Sequence, residues 1–500
     1  MVWAVSGFQI NTQPGCVLLA VGEICTCFRL VCYNVPMSKR ITQHAFYQYM
    51  KCPTWLYHEA QEGEDIRVPL IKLLQDEGLI KEQARILLSD RKVEEVDLPD
   101  LDEASVKTLE LMAKGVETIY RGVLMHGRHV AQPDILERVE GDSKLGDYYY
   151  VACDIKRSRH LKDEYRFQGA FYADILKEIQ GLRPVQGYVM RADRVVEGYL
   201  IDEVYANYRL TLDDIERIVD GERPEPFLTS AAKNSPWFQK LHKEVQECDH
   251  LSLINRIWRS EMDALKAVSI NTVTDLAEAP EKQIKAIPGV TKDRALFLQK
   301  QAESLKENKV IFVGPVDLPP ENGVVLVIDI ESDPLRDIHY LIGVLRINGD
   351  VEEYIPFLAR TPEEEGRMWQ EFLLFIDDYP DARMYHYGWY ELDVFRRMGV
   401  KYGVPDRIAK QFEERMVDVL PRLRESVIFP LSFYSLKDVA KYLGFSWRHP
   451  EASGQNSVVW YHEFLDNKDE QALQDTIDYN EDDVRATWLL RNWAVGDRSD

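Results

Sequence analysis

A chain of 500 residues is longer than one hydrophobic core usually serves, so two or three domains are expected. Its 45% hydrophobic and 29% charged residues are those of an ordinary globular protein, and no apolar run approaches the roughly twenty residues that span a bilayer. A net charge of −23 excludes attachment to nucleic acid by bulk positive charge, but leaves room for carboxylates gathered around cations and for local basic patches such as Lys156-Arg157-Ser158-Arg159-His160.

Seven cysteines are too few and too irregularly spaced for a disulfide scaffold, so a reducing cytoplasmic setting without a membrane partner is expected. Four of them, Cys16, Cys25, Cys27 and Cys32, fall within residues 1–36. The apolar portion from Cys16 to Gly22 is short and no basic segment precedes it, which argues against a signal peptide. Met37-Ser38-Lys39-Arg40 reads as a more natural start, so residues 1–36 are expected to be a mis-assigned start or a disordered tail.

Residues 37–250 alternate helical and strand-like stretches. Asp102 to Tyr120 reads as one amphipathic helix with Leu109, Met112 and Val116 on its stripe. Tyr148 to Ile155 reads as a buried strand, and Tyr165 to Gln180 as a helix stopped by Gly181 and Pro184. Gln132-Pro133-Asp134-Ile135-Leu136 precedes a Gly141-Asp142 turn and then Val151-Ala152-Cys153-Asp154-Ile155-Lys156. Residues two apart on a strand share a face, so Asp154 and Lys156 project together, with Asp134 across the turn. Such a group can hold one Mg²⁺ and aim an ammonium at a scissile phosphate.

This order of elements resembles the PD-(D/E)xK core of RecB-like nucleases, over about residues 40–250. The resemblance implies that Asp134 is the first acid and that Asp154 and Lys156 form the second motif. It also implies that Gln168 and Tyr172 form the Gln-x-x-x-Tyr helix motif, on the nucleic-acid side of the site. RecB-like members often carry an iron–sulfur cluster on four cysteines. Here Cys52-Pro53 matches the early ligand and Cys248 the last, the intervening pair is missing, and Cys153 lies in the catalytic strand. Two thiolates cannot complete a four-cysteine shell, so no iron–sulfur cluster is expected, and Cys52 and Cys248 read as small buried residues. His126 is the candidate for an upstream ligand, against the reading of a structural histidine.

Residues 251–314 read as a purely helical connector. Within it, Ile287-Pro288-Gly289-Val290 sits between two helical stretches, as the turn of a helix-hairpin-helix unit does, where the backbone N–H groups around Gly289 can hold a phosphate. A plain helical connector is the other reading. The Pro-containing stretch from Pro315 to Gly323 marks a boundary before the last domain, residues 322–500. No Walker A loop is present, so the chain itself is not expected to be an NTPase.

In the last domain, Val324 to Ile330 reads as a strand carrying Asp329 and Glu331 on one face. Tyr340 to Leu345 and Val351 to Phe357 read as further strands about an Asn348-Gly349 turn, and Glu363 to Asp378 as an amphipathic helix. Ala382 to Tyr387 is strand-like and is followed by Gly388-Trp389-Tyr390-Glu391-Leu392-Asp393, where Glu391, or in reserve Asp393, could reach the first acidic pair. In Tyr479-Asn480-Glu481-Asp482-Asp483-Val484, Tyr479 and Asp483 are one helical turn apart and share a face. Carboxylates converge in a partly desolvated place only if something offsets their repulsion, and Mg²⁺ or Mn²⁺ does so with oxygen ligands.

The Asp329-Ile330-Glu331 and Tyr479-x-x-x-Asp483 motifs resemble those of the tyrosine-containing DEDD exonucleases, whose fold is ribonuclease H-like. With Ser435-Leu436-Lys437, Leu443-Gly444-Phe445, Gly454 and Ser457, they resemble the ribonuclease H-like domain that ends a family of RecB-like nucleases, over about residues 322–495. The resemblance implies metal-dependent 3′→5′ hydrolysis, with Asp329, Glu331 and Asp483 holding the ions. In it Tyr479 orients water and Glu391 stands where the family has aspartate. The expected architecture is thus α/β throughout: a restriction-endonuclease-like domain, a helix-hairpin-helix connector and a ribonuclease H-like domain. The expected partner is DNA or RNA, with a helicase as a second partner by resemblance. Two other readings are a binding protein with one or both nuclease folds inactive, and a metal hydrolase acting on a small phosphoester. Trp237, Trp258, Trp369, Trp389, Trp447 and Trp460 are scattered, and read as core or rim residues of which one or two could stack on bases.

Overall fold

The computed structural model describes residues 39–63, 88–89, 91–156, 160–191, 195–320, 323–334, 336–450 and 453–496, with the backbone of short strands in the first 28 residues. Part of the basic cluster after Lys156 lies outside the described residues. In the first 36 residues, expected to be a mis-assigned start or a disordered tail, the backbone of Asn11–Gln13, Cys16–Val21 and Ile24–Phe28 forms antiparallel strands. The described residues fall into two compact units that divide after His242.

The first unit is built on a six-stranded sheet. Its strands are β1 (Val93–Glu95), β2 (Thr118–Tyr120), β3 (Ile135–Ser143), β4 (Gly146–Lys156), β5 (Gln186–Arg191) and β6 (Val196–Leu200), in the order β6-β5-β4-β3-β2-β1. β3 and β4 form a long hairpin in which Ile135 faces Cys153, so Asp134 arrives beside Asp154. The turn is at Lys144-Leu145; Gly141, with φ +148°, lies at the irregularity between Glu140 and Ser143, where extra backbone freedom is needed. The expected single helix from Asp102 to Tyr120 is shorter. It runs from Leu101 to Ala113, capped by the Asp100 side chain, which accepts from the N–H groups of Asp102 and Glu103. Gly115 then takes φ +68°, and the β-branched and aromatic Thr118-Ile119-Tyr120 enters the sheet as β2. The helix Asp163–Gln180 ends at Gly181 in the left-handed conformation and contributes Phe167, Ala170, Phe171 and Leu176 to the main core of the unit.

The second unit opens with the helices Arg259–Ala267, Val273–Glu278, Glu281–Ile284 and Lys292–Glu307. It then leaves the purely helical pattern. Ile311–Phe312 pairs antiparallel with Val427–Ile428, and Val316 and Leu318 pack against the core that holds Tyr385, Val427 and Phe429. The stretch expected to separate the connector from the last domain is therefore part of one packed body. The sheet at its centre has the order β9-β8-β7-β10-β11, from β7 (Val325–Asp333), β8 (Ile338–Asn348), β9 (Val351–Leu358), β10 (Arg383–His386) and β11 (Met416–Asp418). The first three form an antiparallel meander, its turn at Gly349-Asp350, and β10 and β11 run parallel to β7.

Strand periodicity aims the acids. Leu326, Ile328 and Ile330 join the core with the helices Glu365–Asp377 and Tyr390–Tyr402. Val325 and Val327 face the other way, into the core shared with the closing helix Glu470–Val495. Asp329 and Glu331 continue that second face. A polypeptide beginning at residue 322 would leave Val427–Ile428 unpaired and part of this core uncovered. It is expected to melt at least about 5 °C below one beginning at Lys243, compared by circular dichroism; equal melting would show that the helical segment lends the sheet no support.

Candidate active site

At the end of β7 one oxygen each from Asp329, Glu331 and Asp483 lies within 4.8 Å of the other two. Asp329 Oδ2 accepts a 2.7 Å hydrogen bond from Asn480 Nδ2, and Asp483 Oδ1 accepts one of 2.6 Å from Trp447 Nε1. Tyr479, one turn before Asp483, is buried and hydrogen-bonded to the Asp483 carboxylate. The adjacent Asp482 is turned away and held by Arg448, whose Nε donates to it at 2.9 Å. Of the two neighbouring aspartates, packing therefore selects Asp483 for the cluster.

Burial raises the proton affinity of all three acids, and repulsion within the group adds to it at Asp329 and Glu331. Asp329 is pushed well above the ordinary carboxylate range, first by burial and then by Asp483, Glu331 and Glu391. Burial and then Asp483 push Glu331 up to about 8. Burial raises Asp483 to about 6, although Lys437 and the hydrogen bonds from Trp447 and Tyr479 oppose it. Lys437 is the nearby cation, its ammonium 4.4 Å from the centre of the Tyr479 ring; burial lowers its pKa against the pull of Asp483 and Glu331.

Glu391 stands outside the group of three but close enough for its charge to act on Asp329. It is buried, and among the described residues its Oε2 has no hydrogen-bond partner: His386 Nδ1 is 3.3 Å away but is turned to the Gly388 carbonyl at 2.6 Å. Asp393, the reserve candidate, points elsewhere and pairs with Arg397 at 2.9 Å. Three mutually close acids and an unpartnered buried carboxylate oxygen form an all-oxygen donor set, which suits Mg²⁺ or Mn²⁺. Sequence reasoning gave no role to Asn480, Trp447 or Lys437. Asn480 and Lys437 lay inside the motifs, but nothing in their spacing showed that they face the acids. Asn480 also accepts from the Tyr354 hydroxyl at 2.9 Å, and a Cβ at Gly343, opposite Asp329 in the sheet, would overlap its Oδ1.

In the first unit Asp134, Asp154 and Lys156 also come together. Lys156 Nζ is 2.9 Å from Asp154 Oδ2, and Asp134 Oδ2 accepts from the Ile155 N–H at 2.7 Å. Burial, then Asp154, pushes Asp134 up to about 6; burial lowers Lys156, but Asp154 and Asp134 more than offset it. Tyr172 and Gln168 are both buried. Tyr172 donates to Asp154 Oδ2 at 3.1 Å, and Gln168 Nε2 donates to the Gln43 carbonyl at 3.1 Å. His126 is exposed, on a strand where it pairs with His129. His44 is the histidine whose pKa the site touches: burial lowers it, Glu59 raises it and Lys156 lowers it further. Cys52 is buried, as expected, but Cys248 is exposed. Gly289, at φ +72°, occupies the turn between Glu281–Ile284 and Lys292–Glu307, with open space where a side chain would be.

Residues 326–495 match the family model described as the RNase_H superfamily. The C-terminal domain is ribonuclease H-like. Among curated proteins, none matches the chain. The match takes in β7 to β11, the closing helix and all four acids around the cluster. A domain of this kind points to a nuclease-type hydrolase that binds nucleic acid, and such nucleases usually work with divalent metals. Among the described residues no helix is long and apolar enough to cross a membrane.

Three outcomes follow for the ribonuclease H-like domain. Asp329→Asn removes a like charge while keeping the shape that Asn480 grips. The cation-free protein should gain about 1–3 kcal/mol, on the order of 5 °C in melting temperature. Because Glu331 has its pKa raised in the folded state, its stabilising protonation is complete below the unfolded value and is lost as pH rises through about 8. Denaturant melts in EDTA should accordingly weaken from pH 5 to pH 8, and Asp329→Asn should flatten that slope. Gly343→Ala should displace Asn480 and cost about 1–3 kcal/mol in the same melts.

Proposed function

We propose that the protein is a metal-dependent nuclease that hydrolyses phosphodiester bonds of DNA or RNA, with a 3′→5′ exonuclease at the C-terminal site and a RecB-like nuclease module in the first unit. The observation that carries this reading is the convergence of Asp329, Glu331, Asp483 and the Tyr479 hydroxyl in a ribonuclease H-like domain. Asp329, Glu331 and Asp483 would hold the cations, with Glu391 completing the oxygen set. Divalent cations held there supply Lewis-acid activation of water and neutralise charge on the leaving oxygen.

The chain's own groups do the rest. Asn480 and Trp447 fix the rotamers of Asp329 and Asp483, so that little reorganisation remains at the moment of reaction. Tyr479 holds the Asp483 carboxylate and offers its hydroxyl to orient the attacking water. Lys437 brings a positive charge to the same place, where it can meet the phosphate. Trp389, 72% exposed beside the Tyr390–Tyr402 helix that carries Glu391, offers a ring to a terminal base. In the first unit Asp134 and Asp154 would bind one cation, with Lys156 polarising water or stabilising the transition state. The open turn at Gly289 would hold a phosphate as a helix-hairpin-helix does.

The experiment is cleavage of end-labelled single- and double-stranded DNA and RNA with Mn²⁺. Asp329→Asn with Asp483→Asn should lower C-terminal cutting by at least about 10³-fold, and Lys156→Ala should remove any second activity. If the Asp329/Asp483 variant abolishes all cutting, the first unit is a clamp rather than a second nuclease. If the unaltered protein cuts none of these polymers, the nuclease reading fails in favour of a binding protein; preference for mononucleotides would point to a small-phosphoester hydrolase. Because Asp483 and Glu331 must shed protons at about 6 and about 8 to hold a cation, the rate should climb from pH 6 to above pH 8. Over the same range the Mn²⁺ concentration needed for half-maximal rate should fall.

A further inference from the structure

The second unit contains another concavity, apart from the carboxylates. It has a volume of about 280 Å³, near the lower end for small-ligand cavities. Arg256, Trp258, Arg294, Phe297 and Gln301 of the helical segment line it, with Arg424 and Tyr434 from the ribonuclease H-like fold. No carboxylate is among the lining residues, in a chain whose net charge is −23.

Its polar groups are set for a ligand. Gln301 is only 4% exposed; its side chain is hydrogen-bonded to Tyr434, and among the described residues its Oε1 has no hydrogen-bond partner. Arg424 Nε is likewise buried without a partner. Arg294 is committed to the wall: its Nε donates to Glu261 at 2.7 Å and its Nη2 to the Arg256 carbonyl at 2.8 Å. Arg256 and Arg424 are different. Among the described residues neither has a carboxylate at ion-pair distance, and at Arg424 burial first and then the like charge of Arg256 lower the pKa, against Tyr387, Asp418 and Tyr434. A buried acceptor and a buried guanidinium donor left unmade cost stability unless something satisfies them. The guanidinium groups call for an anion, with phosphate the best geometric match. The Gln301 oxygen calls for an N–H. Trp258, 64% exposed, and Phe297 supply aromatic faces. Phosphate, N–H donors and a flat ring together describe a nucleotide. Because Trp258 leaves the mouth open, the nucleotide can remain part of a chain.

We propose that this cavity binds one nucleotide of a single-stranded nucleic acid, with its phosphate between Arg256 and Arg424 and its base against Trp258 and Phe297, where Gln301 accepts from a ring or exocyclic N–H. This deepens the nuclease reading and rests on it, since the strand held here would be the strand that is cut.

The test uses the full chain carrying Asp329→Asn and Asp483→Asn, in EDTA, so that binding is read without cutting. Fluorescence anisotropy follows a labelled oligodeoxycytidylate. Trp258→Ala should weaken binding about tenfold, the loss of one stacked base. Arg256→Glu should weaken it by more than tenfold and reduce the slope of log affinity against log salt by about one. Both positions are exposed, and unchanged melting temperatures would show that the fold is kept. If the parent binds the oligonucleotide and both variants bind it within twofold of the parent, the cavity assignment is overturned while the nuclease reading stands. If the parent binds neither this oligonucleotide nor a labelled oligocytidylate, the cavity assignment is overturned, and the cleavage assay decides the nuclease reading by itself. If free cytidine monophosphate competes as well as an equal concentration of nucleotides in the strand, the cavity is a mononucleotide site and the strand assignment is overturned.

Discussion

Repulsion among buried carboxylates is the constraint around which the ribonuclease H-like domain is arranged. Asp329, Glu331 and Asp483 sit close together; burial raises the proton affinity of each, and charges within the group add to it at Asp329 and Glu331. A core built for stability alone would not place three acids together. The fold tolerates them because strong apolar packing surrounds them: β7 is buried on both faces, and the closing helix lays Val484, Trp488 and Leu490 against the same core. The cost is local and the compensation is spread over two hydrophobic clusters, as expected where a site stores charge for use.

Positioning comes from neutral donors as much as from charges. Asn480 bridges the Tyr354 hydroxyl and Asp329, Trp447 holds Asp483, and Gly343 leaves the space that Asn480 fills. These contacts tie β7, β8, β9 and the closing helix into one frame, so the acids are carried by regular elements rather than by loops. The Asp134–Asp154–Lys156 group of the first unit follows a related logic on a smaller scale. A hairpin register sets the two acids side by side, a lysine two residues along the strand neutralises them, and a buried tyrosine from the following helix holds one of them.

Much of this was legible in the chain. The alternation in Val325–Glu331 foretold both a buried strand and the face on which the acids lie, and the spacing of Tyr479 and Asp483 foretold their common side. Boundaries were less legible where a short polar or glycine-bearing stretch could be read either way. Gly115 hid a helix end and the start of β2. The stretch from Pro315 to Gly323 looked like a domain boundary, although Ile311–Phe312 pairs with Val427–Ile428 more than a hundred residues away and Val316 packs against the same core. Such pairing leaves no local signature, because the partner strand lies far away in the sequence.

The sequence by itself determined the chemistry on offer: which acids, which tyrosine, and which face of which element would carry them, because periods of two and of about four are written in local order. Only the tertiary structure decided which of those groups meet. It chose Asp483 over Asp482, left Asp393 to Arg397, kept Glu391 near but outside the group of three, and brought Asn480, Trp447 and Lys437 to the site. That choice depends on how helices dock on a sheet, which is governed by the shape of the whole core and not by any stretch short enough to read.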